Sequence, residues 1–127
     1  MRAVIYARYS SDHQRDASIE DQIRTCRALI EQRGWTYLHA YNDRAQSGSS
    51  TLLRPGYQRM VEDARAGQFD IIVAEALDRL SRDQADIAGL YKQLVFQEIE
   101  LFTLAEGEVN ELHVGLKGTM NALFIKD

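Results

Sequence analysis

Residues 69–104 read FDIIVAEALDRLSRDQADIAGLYKQLVFQEIELFTL, and this stretch decides the fold. FDIIVAEA (69–76) is an apolar, β-prone run, and LDRLSRDQ (77–84) is a polar turn. A helical pattern then runs to about Gln97, and a second β-prone run, EIELFTL, occupies 98–104. Strand, helix and strand joined by connections this short predict parallel neighbours with a helix laid across them.

The alternation continues outward in both directions. RAVIYA (2–7) reads as a buried strand, and WTYLHAY (35–41) as a second one. Between them Ser18-Ile19-Glu20-Asp21 has capping spacing with acids in the first turn, which predicts a helix starting at Ser18. Ile19, Ile23, Cys26 and Ile30 then recur at helical spacing, and Gly34 stands where a left-handed C-cap belongs. NDRAQSGSSTLL (42–53) is polar, small and turn-forming and predicts a loop. A helix follows from about Pro55 to Ala66-Gly67. Beyond the polar segment AEGEVNE (105–111), a further helix is expected from about Leu112, with Leu116, Met120, Leu123 and Phe124 on one face. The expected fold is α/β: a central, mostly parallel sheet of about four or five strands covered by helices, in one domain spanning 1–127. The last helix runs to Asp127 with its apolar face unfinished, which suggests a longer protein or a partner that covers it.

Composition narrows the function classes. With 45% apolar and 27% charged residues the chain reads as globular, and no apolar run nears the roughly 20 residues of a spanning helix. The single cysteine, Cys26, cannot form an internal disulfide and lies on the apolar helix stripe, so a small core residue and a cytoplasmic setting are expected. Net charge is −4, which argues against a broad basic face for nucleic acid. The cations are nonetheless skewed: of 15 basic residues, only Lys92, Lys117 and Lys126 are lysines, leaving 12 arginines. Arginine keeps its charge when desolvated and presents a planar fork to phosphate, so a few fixed phosphate contacts fit this bias.

In an open parallel sheet, chemistry gathers beyond the carboxyl ends of the strands. The expected loops there are 8–17, 42–54, 76–82 and 105–111, and three of the four combine arginine with hydroxyl or carboxylate groups. In extended chain Tyr6, Arg8 and Ser10 point to one side, and Ser11 to the other. Taken alone, Arg8 and Ser10 read as a solvated arginine beside a capping serine. Arg79 and Arg82, three apart at a helix start, would share a face and form an anion site; the alternative is surface pairing with Asp78 and Asp83. Arg54, at the end of the Ser/Gly loop, would swing in as that loop orders. His13, His39 and His113 are scattered and no metal-spaced pair is present, so neither metal nor cofactor is expected.

YARYSS with Gln14 (6–14), S-x-EDQ (18–22), D-x-x-QSGSS with Arg54 (43–54), IIVAEALDRLSRD (71–83) and LKGTMNALF (116–124) together resemble the catalytic domain of serine site-specific recombinases. This is the resolvase/invertase superfamily, and the likeness is greatest to its large-serine-integrase and transposon-recombinase branch. The resemblance implies that Ser10 attacks a DNA phosphodiester and becomes a 5′-phosphoserine. It assigns Arg8, Arg79 and Arg82 to the scissile phosphate, Arg54 to the loop arginine of the site, and Gln14, Gln22 and Asp78 to supporting positions. It also implies DNA as the substrate, dimer and tetramer contacts through the helix from Leu112, and a DNA-binding region carboxy-terminal to this domain and absent from the chain. Two rivals share the fold class. One is a catalytically silent assembly module, against which the intact motif residues argue. The other is a phosphate- or nucleotide-binding domain, against which the missing Gly-rich first loop argues.

Overall fold

The first strand, β1 (Arg2–Arg8), is buried without interruption from Ala3 to Arg8. Burial on both faces marks a central strand of a parallel sheet. The computed structural model describes residues 1–9, 16–44, 54–81 and 83–110. In chain order the elements after β1 are α1 (Asp16–Gln32), β2 (Thr36–Asp43), α2 (Pro55–Arg65), β3 (Ile71–Ala74), α3 (Leu77–Leu80), α4 (Gln84–Phe96), β4 (Glu100–Thr103) and β5 (Gly107–Glu108). The five strands lie in the order β2-β1-β3-β4-β5. The first four are parallel, with Ile5 opposite both Ala40 and Val73, and Val73 opposite Phe102. The expected α/β architecture is therefore present.

Side chains alternate between two cores. Ala3 and Ile5 of β1, with Ile71 and Val73 of β3, meet Cys26 and Ile30 of α1 on one face. Val4 and Tyr6, with Ile72 and Ala74, meet Tyr57 and Met60 of α2, Leu80 of α3 and Leu90 and Leu94 of α4 on the other. Each fully buried aliphatic or aromatic side chain contributes about 1.5–3 kcal/mol relative to exposure. Cys26 is a core residue as expected, fully buried, and burial foremost pushes its thiol up to about 12.

Several boundaries depart from the sequence reading: β3 and β4 are shorter at both ends than the runs at 69–76 and 98–104, and the turn at 77–84 contains α3. Helix α1 begins at Asp16 rather than Ser18, so Ser18 lies inside the helix and its hydroxyl accepts a 3.4 Å hydrogen bond from Gln22 Nε2 instead of capping. β2 continues through Asn42 and Asp43, which had been assigned to the loop, because the Asp43 carboxylate has buried partners that hold the strand in register. The polar segment after β4 contains β5, which pairs antiparallel through Phe102–Glu108 and Thr103–Gly107. A two-residue strand carries no periodicity, and Gly107 at φ +79° makes the reversal possible. The helix expected from Leu112 lies outside the described residues.

Candidate active site

The strand order fixes where a site belongs. From β1 the chain passes to β2 on one side, with α1 on one face. It then crosses back over β1 to β3 with α2 on the other face. The crevice at the carboxyl ends of β1 and β3 is the point at which the order reverses. Arg8 ends β1, and α3 with Asp78 and Arg79 follows β3.

Arg8 is held on all sides and is only 8% exposed. Its main chain is clamped by the buried Gln22 of α1: the Arg8 N–H donates to Gln22 Oε1 (3.2 Å), and Gln22 Nε2 donates to the Arg8 carbonyl (3.1 Å). A polar side chain on an otherwise apolar helix stripe is the signal of such a role, since a buried amide must be satisfied. The Arg8 guanidinium donates from Nε to the Arg79 carbonyl (3.1 Å) and from Nη2 to the Asp78 carbonyl (3.1 Å). In return Arg79 Nη1 donates to the Arg8 carbonyl (3.3 Å). The two arginines thus bind each other's backbone across 71 residues of sequence.

Arg54 is already inside the site. It is 3% exposed, with Nη2 and Nε donating to the Tyr6 hydroxyl (2.8 and 3.2 Å) and Nη2 also reaching the Arg79 carbonyl (3.4 Å). Its guanidinium stacks over Tyr57 at 4.2 Å from the ring centre. The expectation that Arg54 swings in from a loop is corrected: two tyrosines fix it, because a cation–π face and a phenol oxygen together satisfy a desolvated guanidinium.

Tyr6 connects this arginine to a carboxylate that the sequence reading passed over. Its hydroxyl donates to Asp43 Oδ2 (2.5 Å), and the same carboxylate accepts the Gly56 and Tyr57 N–H groups (2.8 and 2.9 Å) at the start of α2. Burial, above all, and the bond to Asp43 push the Tyr6 phenol well above its ordinary range, against the opposing Arg54 charge, so it stays a donor. Asp43 opens the D-x-x-QSGSS stretch, and its period-two spacing from Tyr41 places both on the buried side, but neither signal names Tyr6 as its partner.

Arg79 lies on α3 rather than at the start of a longer helix. α3 is a single turn with Arg79 in its last turn, and the chain is extended at Ser81. The residue that caps a helix is Asp83, whose Oδ1 accepts the Ala85 N–H (2.8 Å) at the start of α4. Arg79 pairs with Glu75, Nη2 to Oε1 at 3.2 Å. The turn itself is secured from the loop after β4. Glu106 Oε1 accepts the Leu77 N–H and the Thr103 hydroxyl, both at 2.8 Å, and Thr103 Oγ1 accepts the Glu106 N–H (2.9 Å). Glu75 meets Arg79 at the local i,i+4 spacing, whereas Glu106 reaches the Leu77 N–H across 29 residues of sequence, a partner no local pattern announces. Asp78 is exposed at its side chain and contributes its carbonyl. Ser10, Gln14 and Arg82 lie outside the described residues. Among the described residues no group of three His, Cys, Asp or Glu side chains is arranged to hold a metal ion, and no helix is long and apolar enough to cross a membrane.

The family model described as the resolvase N-terminal domain matches residues 3–124. The chain belongs to this family. Among solved structures, the resolvase-family chain is similar to the N-terminal catalytic domain of TP901-1 integrase, at 26% identity over 99% of this chain and 98% of that one, with a TM-score of 0.83. A resolvase family site-specific recombinase from Streptococcus pneumoniae shares the fold at 20% identity, with 99% and 89% of the two chains covered and a TM-score of 0.82. So does the C-terminal catalytic domain of ISC1926 TnpA, an IS607-like serine recombinase, at 21% identity, 96% and 80% coverage and a TM-score of 0.73. No curated protein sequence matches the chain. The fold is that of serine-recombinase catalytic domains, whose general activity is site-specific recombination.

Proposed function

We propose that this domain cleaves and rejoins DNA strands by transesterification through a 5′-phosphoserine, with Ser10 as nucleophile. One observation carries the reading: Arg8, Arg54 and Arg79 come from three separate segments and converge at the ends of β1 and β3, with Ser10 two residues beyond Arg8. Bringing three guanidinium groups together is unfavourable for stability alone, since like charges at short range repel. A scissile phosphate compensates that repulsion.

In the proposed step the Ser10 hydroxyl loses its proton and its oxygen bonds to phosphorus. The bond from phosphorus to the 3′ oxygen breaks, and that oxygen leaves as a 3′-hydroxyl after gaining a proton. Negative charge builds on the phosphoryl oxygens in the transition state, where Arg8, Arg79 and Arg82, with Arg54, stabilise it. One well-placed arginine is worth roughly 10³–10⁵ in phosphoryl transfer. The serine ester has about the energy of the diester it replaces, so religation by a 3′-hydroxyl needs no nucleotide cofactor. Gln22 keeps the β1 end in place, and Gln14 and Asp78 support the site.

DNA is the partner in this reading. Duplex affinity and site choice reside in a region beyond this domain, which reconciles the chemistry with a net charge of −4. Self-association through the segment from Leu112 assembles the strands for exchange. The test is a nicked suicide substrate carrying the recombination site, incubated with the protein joined to its DNA-binding region and resolved on a denaturing gel. Ser10→Ala should abolish the covalent 5′-linked species while site binding persists, and Ser11→Ala should retain both. Adduct surviving in Ser10→Ala removes Ser10 as the nucleophile.

A further inference from the structure

Glu75 is a residue for which the proposed chemistry has no use, yet it holds one of the cations on which that chemistry depends. It directly follows β3, and its carboxylate pairs with Arg79 Nη2 at 3.2 Å, with side-chain exposures of 40% for Glu75 and 20% for Arg79. Its backbone is fixed, because the Glu75 carbonyl accepts the Ala105 N–H at 3.0 Å. The side chain is the part free to leave, and its exposed half gives it somewhere to go.

The geometry of the Arg79 fork gives the pairing a direction. Nη1 is committed to the Arg8 carbonyl. The remaining edge, Nε with Nη2, is one that meets a phosphate with two parallel hydrogen bonds. Glu75 fills only its Nη2 corner. Nε is buried and has no hydrogen-bond partner among the described residues. A buried donor left unmade is costly, so this edge is half-satisfied at rest and gains from an acceptor that fills both corners. Nothing in the packing of the core requires the carboxylate.

We propose that Glu75 is a positioning residue of the site, a resting counter-ion that holds the Arg79 guanidinium in place and is displaced when a phosphodiester oxyanion takes the Nε–Nη2 edge. The inference rests on the phosphoryl-transfer reading above. The exchange is favourable in the required sense. A partly exposed ion pair held by one hydrogen bond contributes modestly and is given up to a better acceptor, whereas a guanidinium crowded by other cations and stripped of every anion is expensive. Glu75 thus lowers the affinity of the empty site for stray anions and keeps Arg79 oriented until DNA arrives.

The experiment is a titration of the chain with inorganic phosphate, followed by NMR at the Arg79 Nε–Hε resonance and at the Glu75 side-chain carboxyl carbon. In the wild type both signals should move together with one midpoint, as the carboxylate leaves and phosphate enters. Glu75→Gln should lower that midpoint about threefold to tenfold, the size of a nearby charge effect at a partly exposed site, while Glu75→Asp, which keeps the charge, should stay near wild type. A midpoint unchanged or raised in Glu75→Gln overturns the proposal. So does a wild-type Glu75 signal that stays still while Arg79 responds, a measurement that needs no variant to fold. Failure of the phosphoserine reading shows separately, as absence of adduct from wild-type protein on the suicide substrate.

Discussion

Tyr6 uses one oxygen for two partners, giving its proton to Asp43 and receiving the Arg54 fork. Tyr6→Phe removes both bonds and leaves a buried carboxylate and a buried guanidinium each short of a partner. The expected cost is about 1–3 kcal/mol of stability in urea unfolding, with adduct formation reduced as well, because Arg54 loses the acceptor that fixes it. An unchanged unfolding midpoint would contradict this account of the network. At this scale the sequence was legible where a motif residue also meets its neighbours in space: Arg8, Gln22 and Arg79, all named from their motifs, hold one another at the ends of β1 and β3. It was illegible where a role is made only by folding. Tyr6 and Asp43 are 37 residues apart, and no spacing rule joins a phenol to a carboxylate across that distance.

Helices α1, α2 and α4 were read well because each buries a stripe at helical spacing, as Tyr57, Met60 and Ala64 do on α2, whereas α3, read as a polar turn, is one turn that buries only Leu80. Ends were read less well, because the first residues of α1, Asp16 and Ala17, come before the apolar stripe that begins at Ile19. The junction of β2 with α2 shows how tightly ends are nevertheless built. A Cβ added at Gly56 would collide with the Asn42 carbonyl and crowd Asp43 Oδ1, which is the acceptor of the Gly56 N–H itself. Gly56→Ala is therefore expected to destabilise by about 1–3 kcal/mol, as overpacking does, and to loosen Arg54, whose residue immediately precedes α2. Thermal unfolding checks the first effect. If the variant melts like wild type, the backbone contact is slacker than described.

Across the whole molecule the two ends of the sheet are held by different means. At the end away from the site, the Arg2 N–H donates to Asp70 Oδ2 (2.7 Å), and the Arg2 guanidinium bonds both Asp70 (3.1 Å) and the Gly67 carbonyl (3.0 Å). The side-chain bond from Arg2, first among several contacts with it, holds the Asp70 carboxyl below its ordinary value of 3.8. A lowered folded value means that this tie stabilises above about pH 3.8 and is lost as pH falls through the depressed value. Asp70→Asn should then lower stability slightly at neutral pH, with the two unfolding curves converging in acid. A gap of constant size across the range would exclude the carboxylate as its source. At the other end, the reciprocal grip between Arg8 and Arg79 has a kinematic consequence. The Arg79 carbonyl receives Arg8 Nε and also the Arg54 Nη2, so one peptide group steers two cations. Tilting that peptide would re-aim both charges in a single concerted motion, so that under the proposed function a phosphate meets one coupled pair of forks rather than two independent ones.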